Sequence, residues 1–338
     1  MKLINTKDAV GQVLCHDITQ IIKGVTKDAV FRKGHIITEE DIPVLLSVGK
    51  DQIYIWENDE TKMHENDAAE ILSTITKGKN MHASAVKEGK IEQIADCDGL
   101  FMIDSDRLKA INSIDEIMIA TRHKGLVRKG DKLLGTRVIP LVIDKEKMEQ
   151  CKEVAGNSPI TNVYPFKKKK IGLITTGNEV YYGRIKDTFT PVIIDKFKEY
   201  DSEVVSHIVL NDDHEKITSA IQSMLAEGVD MVVCTGGMSV DPDDKTPLAI
   251  KNSGASIVSY GAPVLPGAMF LVSYMEDGRP VVGLPGCVMY AKRTVFDLCM
   301  PYFMSDYPIT KEILVNFGEG GLCLNCEHCV FPHCGFGG

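Results

Sequence analysis

Two kinds of residue in this sequence are spaced for chemistry: a crowd of cysteines, and three glycine-bearing stretches that each follow a short apolar run. Cys323, Cys326, Cys329 and Cys334 fall in a C-x₂-C-x₂-C-x₄-C pattern. Four thiolates so spaced suit a tetrahedral Zn²⁺ or an iron–sulfur cluster. With few apolar residues around them, a bound metal is expected to supply that segment's order. The glycine stretches are Thr175-Thr176-Gly177-Asn178-Glu179, Thr235-Gly236-Gly237-Met238-Ser239, and Leu284-Pro285-Gly286. Glycine removes side-chain bulk, so main-chain N–H groups there can close on an anion. Thr175, Thr176 and Ser239 could add hydroxyl donors. Asp241, Asp243 and Asp244 follow the second stretch and would repel a phosphate; they suit Mg²⁺, a donor-rich ring or work on a nucleotide. On these residues alone, an ordinary strand-exit turn with solvated acids stays open.

The elements that would position these groups can be read from periodicity. From Lys167 onward short apolar runs alternate with amphipathic stretches. Ile171–Thr175, Val204–Leu210 and Met231–Cys234 read as strands, the last a continuous apolar run of the kind buried on both faces of a parallel sheet. Ile217, Ala220, Ile221, Met224 and Leu225 form one helical stripe, opened by a capping-box-like Asp212-x-x-Glu215. Thr190-Pro191 and Thr246-Pro247 each predict a helix start. Glu276-Asp277-Gly278 predicts a hairpin turn, and a last helix is expected from about Val288 to Phe303. This is the pattern of a three-layer, doubly wound, mostly parallel α/β domain, whose ligands bind beyond the carboxyl ends of the strands. Residues 1–60 read as a small α+β subdomain with a helix from Glu39 to Val48 and a strand from Gln52 to Trp56. Residues 61–165 read as a β-rich companion with a helix from Glu65 to Thr76, residues 166–305 as the α/β domain, and 306–338 as the cysteine-rich tail.

The chain has 338 residues, 44% of them apolar and 25% charged, with a net charge of −9. That balance argues against a general nucleic-acid binder. No apolar run approaches a membrane span, and the first residues lack a signal-peptide pattern, so a cytoplasmic location is expected. In a reducing compartment the crowded cysteines read as a metal site rather than a disulfide framework. Cys287 reads as a small buried residue at a helix start.

Taken together, TTGNEV, TGGMSVDPDDKTP and GLPG, in this order and spacing, resemble the molybdopterin-binding domain of molybdenum-cofactor assembly proteins. That domain is shared by molybdopterin adenylyltransferases, molybdopterin molybdenumtransferases and competence/damage-inducible proteins. The resemblance covers roughly residues 168–305. It implies that Gly236, Gly237 and Ser239 cradle the pterin side-chain phosphate, with Thr246, Pro285 and Gly286 on adjoining turns and Asn178 and Glu179 on the first loop. It implies reaction-centre roles for Asp244 and Asp212. The ligand it implies is molybdopterin or its adenylylated form, with Mg²⁺ and molybdate, in a homo-oligomer that hands the cofactor to a molybdoenzyme or another assembly protein. Residues 1–165 look similar to a companion domain of molybdopterin-binding proteins from anaerobes. The sequence also departs from the family. Leu284-Pro285-Gly286-Cys287-Val288 stands where Leu-Pro-Gly-Asn-Pro is usual. Pro266-Gly267-Ala268 lacks the usual lysine, and the molybdenumtransferase's Ser-x-Met-Asp-Gly stretch and C-terminal β-domain are not found. Molybdate insertion is therefore one expectation; a non-catalytic carrier or sensor, and a nucleotide pyrophosphatase, are the others.

Overall fold

The structure, a computed structural model, describes residues 2–22, 26–55, 59–239 and 244–338. The chain divides into two compact units, one of residues 1–96, 103–122 and 130–162, the other of residues 97–102, 123–129 and 163–338. Among the described residues no helix is long and apolar enough to cross a membrane.

In the first unit, strands Lys2–Asn5 and Gln52–Ile55 pair antiparallel, and Ile18–Ile22 forms a hairpin with Thr26–Phe31. The expected helix at residues 39–48 is shorter, Asp41–Ser47, and Trp56, expected to end a strand, lies outside the described residues. A four-stranded antiparallel sheet runs in the order Met81–Ala83, Lys90–Ala95, Lys132–Val138, Ile117–Thr121. Helix Glu65–Thr76 lies on it, burying Ala68, Ala69 and Leu72. These sit at i, i+1 and i+4, the narrow stripe one helix face presents.

The second unit holds a six-stranded sheet whose strands we number β1 Lys170–Thr176, β2 Glu203–Leu210, β3 Met231–Thr235, β4 Ser256–Tyr260, β5 Leu271–Tyr274 and β6 Pro280–Leu284. Their order across the sheet is β2-β1-β3-β6-β5-β4. The first four neighbours are parallel, and β5 and β4 add antiparallel. Chain order reverses at β1, which sends the chain to β2 on one side and then past itself to β3 on the other. Helices are α1 Asn178–Tyr181, α2 Phe189–Lys198, α3 His214–Ala226, α4 Thr246–Asn252, α5 Val295–Met304 and α6 Lys311–Asn316. Alternation along the strands separates two apolar clusters. Ile171, Leu173 and Val233 join Ile193, Phe197 and Phe296 in one; Ile174, Val232 and Cys234 join Ile217, Ile221 and Ile250 in the other. Side chains alternate sides along a strand, so each face carries its own helices.

Two helix starts differ from expectation. α2 begins at Phe189, because the Asp187 carboxylate accepts the N–H groups of Phe189 (2.8 Å) and Thr190 (3.1 Å). The last helix begins at Val295, not near Val288: Thr294 and Asp297 form a capping box, and residues 286–289 are a 3₁₀ turn. The tail also differs. Phe336 is buried, Phe331 packs against the same core as Phe296, and Gly337 donates its N–H to Gly320. Burial of these rings contributes to ordering the segment.

Candidate functional site

The three glycine stretches leave one edge of the sheet side by side. Thr175 of β1 is in register with Thr235 of β3, and Thr235 with Leu284 of β6. All three strands are parallel, so Thr176-Gly177, Gly236-Gly237 and Pro285-Gly286 emerge together at the carboxyl edge, at the point where strand order reverses. In open α/β sheets that crevice is where ligands sit.

Side chains tie the turns together. The Thr176 hydroxyl donates to the Thr235 carbonyl (3.2 Å) and lies 3.1 Å from the Thr246 hydroxyl. The Thr246 N–H donates to the Gly237 carbonyl at 3.3 Å. Gly236 and Gly237 have φ of +85° and +55°. A Cβ at Gly236 would overlap the Thr176 carbonyl, and one at Gly237 would come within 2.7 Å of the Thr246 hydroxyl. Both the backbone angle and the close approach therefore require glycine. The Tyr260 hydroxyl donates to the Met238 carbonyl at 2.7 Å, holding the turn from the far side. Burial, and then the nearby Asp244 charge, pushes that phenol up from its ordinary pKa.

Not every expected donor is available. Thr175 is fully buried, its hydroxyl 3.1 Å from His207 Nε2 and 3.2 Å from the Thr190 hydroxyl. It and Thr176 wire the strand ends rather than face a ligand; Ser239, which is exposed, keeps a hydroxyl at the surface. Asn178 opens α1, a single turn, with its N–H donated to Asp212 Oδ2 at 3.0 Å. Glu179 is exposed, its carbonyl accepting the N–H groups of Arg184 and Ile185. Gly286 faces open space, so no contact there demands glycine. The turns lead into a four-residue helix, a seven-residue helix and a 3₁₀ turn. A macrodipole needs more length than this, so individual N–H groups would have to hold an anion.

The two acids play different parts. Asp213, not Asp212, caps α3, accepting the N–H groups of Glu215 (3.0 Å) and Lys216 (3.3 Å). Asp212 instead ties the β2–α3 turn to the first glycine loop. Asp213→Ala is accordingly expected to cost about 1 kcal/mol in a thermal melt. Asp212→Ala should shift that melt less and weaken ligand binding more. Asp244 has a buried carboxylate oxygen, Oδ2, without a hydrogen-bond partner among the described residues. Asn211 Oδ1, His214 Nδ1 and Thr235 Oγ1 are buried and unpartnered in the same way, and all four lie just where strands end or helices begin at this edge. A buried polar atom left unpaired costs about 1–3 kcal/mol; Thr235, fully buried, cannot meet a ligand directly, whereas Asp244, Asn211 and His214 stand at the loop ends. Periodicity gives no signal for Asn211, His214 or Thr235; their position beside Asp212 and Gly236 is the one local cue. Asp241 and Asp243 lie outside the described residues. The described residues gather no three metal-ligand side chains for a Mg²⁺ ion.

In the tail, too, Cys323, Cys326, Cys329 and Cys334 do not gather as a set of three or more ligands among the described residues. The Cys323 N–H donates to the Leu265 carbonyl at 2.8 Å, placing Cys323 and Cys334 against the core, while Cys326 and Cys329 are exposed. Replacing Cys326 and Cys329 with serine should move stability by less than about 0.5 kcal/mol. Chelator should leave the melting curve unchanged; a chelator-sensitive melt would restore the metal. Burial pushes the Cys287 thiol up, away from the reactive thiolate.

Residues 172–305 match a family model described as "Probable molybdopterin binding domain", and residues 3–57 match a domain of unknown function. A molybdopterin molybdenumtransferase of Synechococcus elongatus is 25% identical over 166 residues, 46% of this chain and 39% of that protein. The chain thus spans well under two thirds of that relative. A molybdopterin molybdenumtransferase of Staphylococcus epidermidis is 24% identical over 313 residues, 84% of this chain and 71% of the relative. Among solved structures, the molybdopterin biosynthesis enzyme MoaB from Thermus thermophilus aligns with a TM-score of 0.35 and 16% identity, over 42% of this chain and 98% of its own.

Proposed function

We propose, from the premise that residues 172–305 belong to the molybdopterin-binding domain family, that this chain binds molybdopterin in molybdenum-cofactor biosynthesis. We take its reaction to be molybdate insertion into adenylylated molybdopterin. The observation that carries the reading is the shared edge of Thr176-Gly177, Gly236-Gly237 and Pro285-Gly286, set by the β1–β3–β6 register. Main-chain N–H groups of the Gly236-Gly237 turn and the Ser239 hydroxyl would take the pterin phosphate. Asp212 would hold the first loop in place through Asn178. Asp244, with a carboxylate oxygen free of partners among the described residues, would meet the reacting diphosphate end, where water attacks the anhydride and AMP leaves, while molybdate gives up one oxygen as water, taking the two dithiol protons, as both sulfurs bind molybdenum. No step is assigned to a bound metal. The test is anaerobic incubation of the chain with adenylylated molybdopterin and molybdate, with AMP followed by chromatography. AMP release that depends on molybdate supports the reaction; no pterin binding at all removes the reading.

One observation favours a second reading, a carrier that binds the pterin without turnover. The loop Pro266-Gly267-Ala268 carries no cation where the family's enzymes have lysine. Pterin bound stoichiometrically with no AMP release would select it.

A further inference from the structure

A buried charge in the first unit belongs to no part of the site above. Glu65 opens helix Glu65–Thr76 and is only 9% exposed. Its carboxylate has no hydrogen-bond or ion-pair partner among the described residues. Gly89, at φ +68°, makes room for it, since a Cβ there would sit 2.6 Å from Glu65 Oε2. Two cations act on the carboxylate from a distance, Arg137 and Lys33, while Glu88 and Asp17 add like charge and His64 adds none. His64 uses Nε2 on the Cys15 carbonyl (2.8 Å) and Nδ1 to accept the Asn66 N–H (3.1 Å), which makes it a neutral ring. Burial raises the Glu65 pKa, opposed by the charge of Arg137.

This carboxylate faces a cavity of about 330 Å³ lined by Tyr54, Ile139, Leu141, His16 and Arg137 among others. The cavity adjoins a polar trough of about 700 Å³ with which it shares Asp17, Asn66, Glu88 and Arg137. His16 Nδ1 is buried here without a partner. The carboxylate meets solvent but no protein donor among the described residues, and a ligand that brings donors would replace that water with hydrogen bonds. An aromatic and two aliphatic walls suit a flat ring. A carboxylate accepts two parallel N–H bonds side by side, and the Arg137 guanidinium donates. Glu65 and Arg137 together thus complement an edge that reads acceptor, donor, donor.

We propose that this pocket binds a heterocycle through the 2-amino-4-oxopyrimidine edge shared by guanine and pterin rings. Glu65 accepts the ring N–H and the amino group, Arg137 donates to the ring oxygen, and the ring substituent runs into the trough. The site is separate from the sheet edge of the second unit. Calorimetric titration of the full chain with guanosine, inosine and neopterin tests it. Guanosine, neopterin or both should bind, and whichever does identifies the source. Inosine lacks only the amino group and should bind at least about tenfold more weakly than guanosine. Glu65→Gln should lose at least about tenfold, and Gly236→Val should lose nothing at this pocket. If neither guanosine nor neopterin binds, or inosine equals guanosine, the proposal fails; the inosine comparison needs no variant. It also fails if neopterin binding survives Glu65→Gln and disappears in Gly236→Val, which would assign that ligand to the sheet edge.

Discussion

Gly236→Val is expected to abolish molybdopterin binding at the sheet edge and to destabilise the second unit by about 3 kcal/mol. Two effects add. The backbone at Gly236 has φ +85°, a region that a β-branched residue enters only under strain. The new Cβ would also overlap the Thr176 carbonyl, which is main chain at a strand end and cannot rotate away. Relief has to come from moving the Gly236-Gly237 turn, so the N–H groups meant for the phosphate lose their aim. A fluorescence titration with molybdopterin should show at least about a hundredfold loss, near 2.7 kcal/mol. Gly286→Ala is the matched control. Its Cβ meets open space, and its melt should stay within about 0.5 kcal/mol of the parent. Normal pterin affinity in Gly236→Val would show that the turn does not hold the ligand.

Asp244→Asn should separate binding from reaction. The substitution keeps shape and removes the charge on a carboxylate whose Oδ2 has no partner among the described residues. If that oxygen acts on the diphosphate end, AMP release should fall by about 10²–10³-fold, the range for losing a positioned acid–base group. Pterin affinity, carried by the glycine turns, should change by no more than a few-fold. A second readout needs no turnover. Asp244 contributes, after burial, to holding the Tyr260 phenol above its ordinary pKa. In the variant Tyr260 should therefore ionise at lower pH than in the parent, followed by phenolate absorbance. An unchanged AMP rate would remove Asp244 from the reaction, whereas no AMP release from the parent itself would leave the carrier reading standing.

Much of this edge was legible in the sequence because its signals are local. Runs such as Met231–Cys234 are apolar enough to require burial on both sheet faces, and Gly236-Gly237 and Pro285-Gly286 punctuate their ends. What the sequence does not carry is the identity of the partner each side chain meets. Thr175 and Thr176 read as free donors, yet the fold spends them on His207, Thr190, Thr235 and Thr246. Asp212 and Asp213 are one residue apart and both suit a helix cap; only the approach of the first glycine loop decides that Asp213 caps and Asp212 tethers. The apolar run from Val288 looks continuous with the last helix, but Thr294 and Asp297 set its start later. Cysteine spacing suggests a metal, while tertiary packing sets what each cysteine meets: Phe331 and Phe336 pack on the core, and Cys323 and Cys334 lie against it. Atoms such as Asn211 Oδ1 and His214 Nδ1 are visible only as missing bonds, which no periodicity encodes.

Amide hydrogen exchange of the full chain with and without molybdopterin tests most directly whether the glycine turns at the carboxyl edge take the ligand. Binding there should slow exchange at residues 176–179 and 236–239 together. Slowing confined to other segments, or none at ligand concentrations that saturate the fluorescence titration, would contradict it.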